Sequence, residues 1–99
     1  MKFLALEHET PAAAGGGFQT HLKAEAARAW ELHQSGIIRE LYFRQDLHTA
    51  VLVLECGSTA EAHQMLDTLP LVSAGLIIFE VIPLVAYDGF ARLFEKPLS

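Results

Sequence analysis

Two strand-like segments of this chain are apolar on both sides. In His48 to Cys56, Val51 and Val53 point one way and Leu52 and Leu54 the other; in Leu76 to Val85, Leu76, Ile78 and Ile82 oppose Ile77, Phe79 and Val81. A sheet containing such strands has to be covered on both faces. Only two helical segments stand between the strands, and two helices cover one face. The other face therefore needs a cover that these elements do not supply, and the simplest is the same face of a second copy. Composition points the same way. Hydrophobic residues make up 52% of the 99 and charged residues only 19%, which is apolar for a domain with so much surface to keep wet.

The local patterns give the order of elements. Met1 to Glu9 alternates as a strand, with Phe3, Ala5 and Glu7 on one face and Leu4, Leu6 and His8 on the other. Thr10 to Gly17 is rich in Pro, Ala and Gly and reads as a connection. It leads into a helix, as a phosphate cradle does, but lacks the Gly-Lys-Ser/Thr ending and the Gly-x-Gly-x-x-Gly spacing. Phe18 to Gln34 has helical periodicity, and Ser35-Gly36 ends it with a left-handed cap. Ile37 to Arg44 and His48 to Cys56 flank a turn short enough for an antiparallel hairpin. Ser58-Thr-Ala-Glu61 has the form of a capping box and starts a second helix, which Pro70 stops. Leu71 to Gly75 is expected to be a loop. Leu76 to Val85 is the last strand, with Pro83 near its end or on an edge.

Strand-helix-strand-strand-helix-strand is the split order of an α+β ferredoxin-like (βαββαβ) domain. The expectation is one domain over 1–99 with its core in about 1–85. Its four-stranded antiparallel sheet carries both helices on one face, and the other face packs on a second copy as a dimeric α+β barrel. The tail 86–99, aromatic from Tyr87 to Phe94, is placed at a subunit interface.

Charge and cysteine content narrow the partners. The net charge is -5 and the 7 basic residues are scattered, which argues against nucleic acid. Cys56 is alone, so no intrachain disulfide forms, and a lone thiol fits a reducing compartment. Nothing in the first residues has the length of a signal peptide, and no run suits a membrane span. A cytoplasmic protein that does not bind membranes is expected.

Polar residues that interrupt apolar patterns mark candidate sites. With Phe18 at zero on a helical wheel of about 100° per residue, Glu25 falls inside the stripe made by Leu22, Ala26, Ala29 and Leu32. A carboxylate there is costly unless paired or used, and apolar surroundings raise its pKa toward the working range of a general base. Glu25 is also within reach of Arg28 and Lys23 as a plain ion-pair partner. Glu7 and Glu55 lie near strand ends and are expected to be solvated. Glu80 sits mid-strand, either functional or paired with Arg39 across the sheet. An arginine close by suits a substrate carboxylate. Of five histidines, His33 faces the stripe and His48 stands at the hairpin; their spacing does not form a metal-binding motif. Cys56 reads as a small core residue and Trp30 as a subunit contact.

Glu25-x-x-Arg28-Ala-x-Glu31-Leu-x-x-Ser-Gly36, Arg39-x-Leu-Tyr42, Leu69-Pro-Leu71 and Glu80-Val-x-Pro-Leu84, in this order, resemble the muconolactone δ-isomerase family. The resemblance runs from about Leu22 to Leu84. It implies a ferredoxin-like subunit, dimers that assemble further, and cofactor-free chemistry that shifts a double bond in a small carboxylated lactone. Glu25, Arg28 and Glu80 match family positions. Read together, the residue positions and the resemblance make Glu25, His33 and Glu80 the expected catalytic residues and Arg28, Arg39, Tyr42 and His48 the expected substrate-binding residues, acting on a small acidic metabolite. Phe43 stands where the family commonly carries a second arginine, and the hairpin Asp46 to Ala50 lacks the family's polar residues, so an altered pocket is implied. A cofactor-independent monooxygenase of the same dimeric barrel type, with His33 or His48 at its centre, is the alternative. A non-enzymatic ligand-binding or assembly module is a third.

Overall fold

The computed structural model describes residues 1–96; the last three residues of the expected tail lie outside the described residues. Strands β1 (Lys2–Glu9), β2 (Ile38–Phe43), β3 (Ala50–Glu55) and β4 (Ile77–Leu84) form one antiparallel sheet in the order β2-β3-β1-β4. Helices α1 (Leu22–Gln34), α2 (Thr59–Leu66) and α3 (Pro70–Ser73) join the strands, and two short 3-10 helices, Pro11–Gly15 and Gly89–Phe94, lie in the first connection and the tail. This is the ferredoxin-like order. The central strand β1 pairs with β3 through Phe3 opposite Leu54 and with β4 through Phe3 opposite Pro83. Pro83 is tolerated because β4 is an edge strand.

Local chemistry explains the helix ends. Ser58 Oγ accepts the Glu61 N–H at 3.1 Å, and Glu61 Oε2 accepts the Gly57 N–H at 3.0 Å, so two donors at the start of α2 are satisfied reciprocally. At the end of α1, Gly36 has φ 85°. Its N–H reaches the His33 carbonyl and the Ile37 N–H the Leu32 carbonyl, a Schellman ending that requires the left-handed region. Pro70 differs from its expected role. It does stop the preceding helix, but it also occupies the first turn of α3, where its missing N–H costs nothing. The segment expected to be a loop is therefore partly helical.

The core is lopsided. Ala62 and Leu66 of α2, with Leu69 and Leu71, bury fully against Phe3, Leu54 and Ile77 of the sheet. From α1 only Leu32 is fully buried, while Leu22 is 45% exposed. The first helix stands off the sheet on its N-terminal side. The opposite sheet face leaves Ile78 56% exposed, with Leu4, Leu6 and Ile82 half-buried around it. Beyond β4, Val85, Tyr87, Leu93 and Phe94 are exposed. The radius of gyration of 17.3 Å exceeds the roughly 13 Å of a compact chain of this length.

Ser58→Ala removes the side-chain acceptor at the start of α2. It is expected to cost about 1 kcal/mol of stability, read as a lower urea midpoint with an unchanged slope. An unchanged midpoint would show that the cap adds nothing.

Candidate functional site

Where α1 stands off the sheet, it leaves an open cavity of about 820 Å³. Its wall on the helix side is the stripe read from the sequence, with Leu22, Glu25, Ala26, Ala29 and His33 turned toward it. Small residues at 26 and 29 keep the helix from filling the space. The floor is the sheet, with Ile38, Leu52 and Phe79, and α3 closes one side through Leu69 and Leu71. The size and apolar lining are those of a small-molecule site.

Glu25 is half-buried in this wall. Its Oε1 accepts the Leu71 N–H at 2.9 Å. Leu71 is the second residue of α3, so its N–H is one of the donors that a helix start leaves without a partner. The carboxylate inside the apolar stripe thus has a structural use, and it is not an ion-pair partner of Arg28 or Lys23. Burial pushes its pKa up, and the Leu71 N–H and His21 only partly offset this.

Glu7, expected from the sequence to be solvated, is instead half-buried. It lines the same cavity, half-buried, on the sheet face shared with Phe3 and Ala5. The pairing of β1 with β3 ends at Leu6 opposite Val51, and Glu7 Oε1 accepts the next free amide, that of Ala50, at 3.3 Å. Burial raises its pKa most; the Ala50 N–H lowers it, the charges of Glu9 and Glu25 raise it further, and His48 lowers it. The alternation in β1 carried the signal. The strand runs on to Glu9, so Glu7 is not at its frayed end.

The other expected site residues divide. His33, Tyr42 and His48 line the cavity with Glu25. The His33 Nδ1 lies 2.9 Å from the Ile38 carbonyl. A carbonyl only accepts, so Nδ1 carries the hydrogen in the neutral ring and Nε2 is the basic nitrogen. His48 has φ 52°, a left-handed conformation uncommon outside glycine, and its ring stacks on Phe43 at 4.4 Å. The Tyr42 hydroxyl donates to Glu40 at 2.7 Å.

Arg28, Arg39 and Glu80 are not among the lining residues. Arg28 donates to Thr68 Oγ1 at 2.9 Å and to Glu31 at 3.1 Å. Arg39 Nε donates to the Gly36 carbonyl at 2.6 Å. Glu80 meets His8 at 3.2 Å, not Arg39: those two lie on β4 and β2, the opposite edges of the sheet. Among the described residues no group of three His, Cys, Asp or Glu side chains is placed to hold a metal ion.

No family model matches the chain, and no curated protein sequence matches it. Solved structures do. Muconolactone isomerase matches with a TM-score of 0.69 and 22% identity, over 89% of this chain and 92% of that one. This chain has the muconolactone isomerase fold. The same fold is shared by 5-chloro-2-hydroxyhydroquinone dehydrochlorinase from Burkholderia phenoliruptrix AC1100, in complex with 2,5-dihydroxybenzoquinone. That match has a TM-score of 0.64 and 21% identity, over 90% of this chain and 98% of the other. The expectation of a ferredoxin-like α+β subunit of this type is met.

The two raised carboxyl pKa values set a pH dependence. The ordinary value is 4.5 for both, and the folded values lie above it. As pH rises, the unfolded chain releases these protons first, so stability falls. The contribution of Glu7 and Glu25 is fully present below the ordinary value and is lost as pH rises through the folded values. Glu7→Gln with Glu25→Gln keeps an acceptor for Ala50 and Leu71 and should flatten that decline. Urea midpoints across about pH 4 to 8 test it, because the window spans the displaced carboxyls; parallel profiles for variant and wild type would overturn it.

Proposed function

We propose that the chain is an isomerase-type enzyme that moves a proton within a small cyclic metabolite, transposing a C=C bond without an external oxidant or reductant. One observation carries this. A half-buried carboxylate, Glu25, stands in an apolar cavity with one oxygen fixed by a backbone amide and its pKa raised. A base poised in this way suits abstraction of a proton from carbon next to a carbonyl.

The second carboxyl, Glu7, lines the same cavity from the sheet side, and burial raises its pKa as it does that of Glu25. In this reading Glu25 takes the proton from the α-carbon, and the electron pair moves into the carbonyl as an enolate. Glu7 accepts a hydrogen bond from a polar group of the ring and holds the ring against Glu25. Return of the proton to the far carbon shifts the double bond, and atoms and electrons balance. His33, through Nε2, and His48 and Tyr42 at the rim orient the ring. Arg28, Arg39 and Glu80 receive no role because their side chains are engaged elsewhere. The fold neighbours support a small-ring substrate, one being named for a lactone and the other for a hydroxyhydroquinone. The monooxygenase alternative is not favoured, because the group fixed deep in the wall is a glutamate and His48 is stacked on Phe43.

Deuterium wash-in from D2O into a β,γ-unsaturated butenolide, followed by proton NMR, tests the reaction. Glu25→Gln should lower the rate at least about 100-fold, the range of a general base, with the far-ultraviolet circular dichroism retained. Equal rates for variant and wild type would remove Glu25 from the chemistry.

The second inference under this reading is a homodimer through the open sheet face, with the apolar tail after Leu84 part of the same contact. The exposure of Ile78, Val85 and Phe94 supports it. Ile78→Glu places a charge in the middle of that face and should halve the mass found by sedimentation. A mass that stays unchanged, or a wild type already monomeric, would overturn it.

A further inference from the structure

The cavity differs from what a carboxylated substrate needs. Its lining contains three carboxyl groups, Glu7, Glu9 and Glu25, and its groups able to carry positive charge are the imidazoles of His33 and His48. The two arginines that the sequence offers as a clamp are engaged by Thr68, Glu31 and the Gly36 carbonyl. In His33 one ring nitrogen is already used on the Ile38 carbonyl, and His48 is packed flat against Phe43. A carboxylate entering this cavity would leave water for a site of like charge, where repulsion is stronger than in bulk solvent. An uncharged ring meets the opposite situation. Glu7 and Glu25 each spend one oxygen on a backbone amide, Ala50 or Leu71. The second oxygen of each accepts no hydrogen bond from the protein among the described residues. Two such oxygens on facing walls, one on the sheet and one on α1, suit ring hydroxyl or enol groups between them. Leu52, Phe79, Ala26 and Ala29 supply apolar contact for the ring itself.

We infer that the cavity selects an uncharged, hydroxylated or enolisable ring held between Glu7 and Glu25, and discriminates against the same ring carrying a carboxylate. This rests on the reading of the Glu25 cavity as the working site.

Three probes separate charge from size: resorcinol, 3,5-dihydroxybenzoate, and the methyl ester of that acid. Each is titrated into the wild-type protein at pH 7.5 and followed through the amide signals of Ala50 and Leu71, the two N–H groups bound to the carboxylates. Resorcinol and the ester are expected to shift both signals, and the acid to bind at least tenfold more weakly than its ester. In Glu7→Gln with Glu25→Gln the gap between ester and acid should shrink, since the negative charge is gone and the acceptors remain. An acid that binds as tightly as its ester, a gap unchanged in the double variant, or no response to any probe would overturn the inference. If the variant fails to fold, the wild-type comparison still decides. The outcome is distinguishable from that of the proton-transfer assay. Binding of the ester without deuterium wash-in sinks the reaction and leaves the selectivity standing; wash-in together with a preference for the acid does the reverse.

Discussion

The hydrogen bond from the Leu71 N–H to Glu25 ties α1 to α3 across one end of the cavity. It connects the first turn of α1 to the first turn of α3, 46 residues later. Neither partner is satisfied without the other. The amide belongs to a helix start, which leaves its donors orphaned, and the carboxylate sits in a stripe of apolar residues, where it needs a donor. Because α1 is pinned at this point and buries Leu32 further along, it holds its distance from the sheet without collapsing onto it. The cavity lies between this helix and the sheet, where the small side chains of Ala26 and Ala29 leave space.

The same contact occupies only one oxygen of Glu25; the other accepts no hydrogen bond from the protein among the described residues. Glu7 repeats the arrangement on the facing wall, where the end of the β1–β3 ladder leaves the Ala50 amide free. The two carboxyls are thus positioned by backbone groups, whose geometry is set by secondary structure and not by flexible side chains.

Much of this was legible in the sequence. Periodicity gave the four strands, the first two helices and the sheet's apolar second face, because period 2 and period 3.6 are written directly in the residue order. Ser58 and Gly36 marked helix ends through local chemistry that needs no distant partner. Glu25 stood out for being charged on an apolar stripe. What failed was long-range. Glu80 and Arg39 look compatible as strand residues, but strand order places them on opposite edges. Arg28 reads as a substrate clamp until Thr68 and Glu31 take its donors. Glu7 was discounted as near a strand end although the strand was read to Glu9; its half-burial comes from the cavity walls and the Ala50 amide, which the pattern of β1 alone does not contain. The helix begun by Pro70 was hidden because the same residue that stops one helix is well suited to open the next.

Ala26 and Ala29 give the cavity wall a further property. They face it from a helix whose position is fixed elsewhere, by Glu25 and by Leu32. Ala29 also packs against the core, whereas Ala26 is exposed, and a larger side chain at 26 would protrude into the open space. The volume offered to a ligand can therefore drift by single substitutions while the fold and the two carboxyls stay in place. A wall of this kind can change the volume of the cavity in small steps, each of them passing through a folded protein.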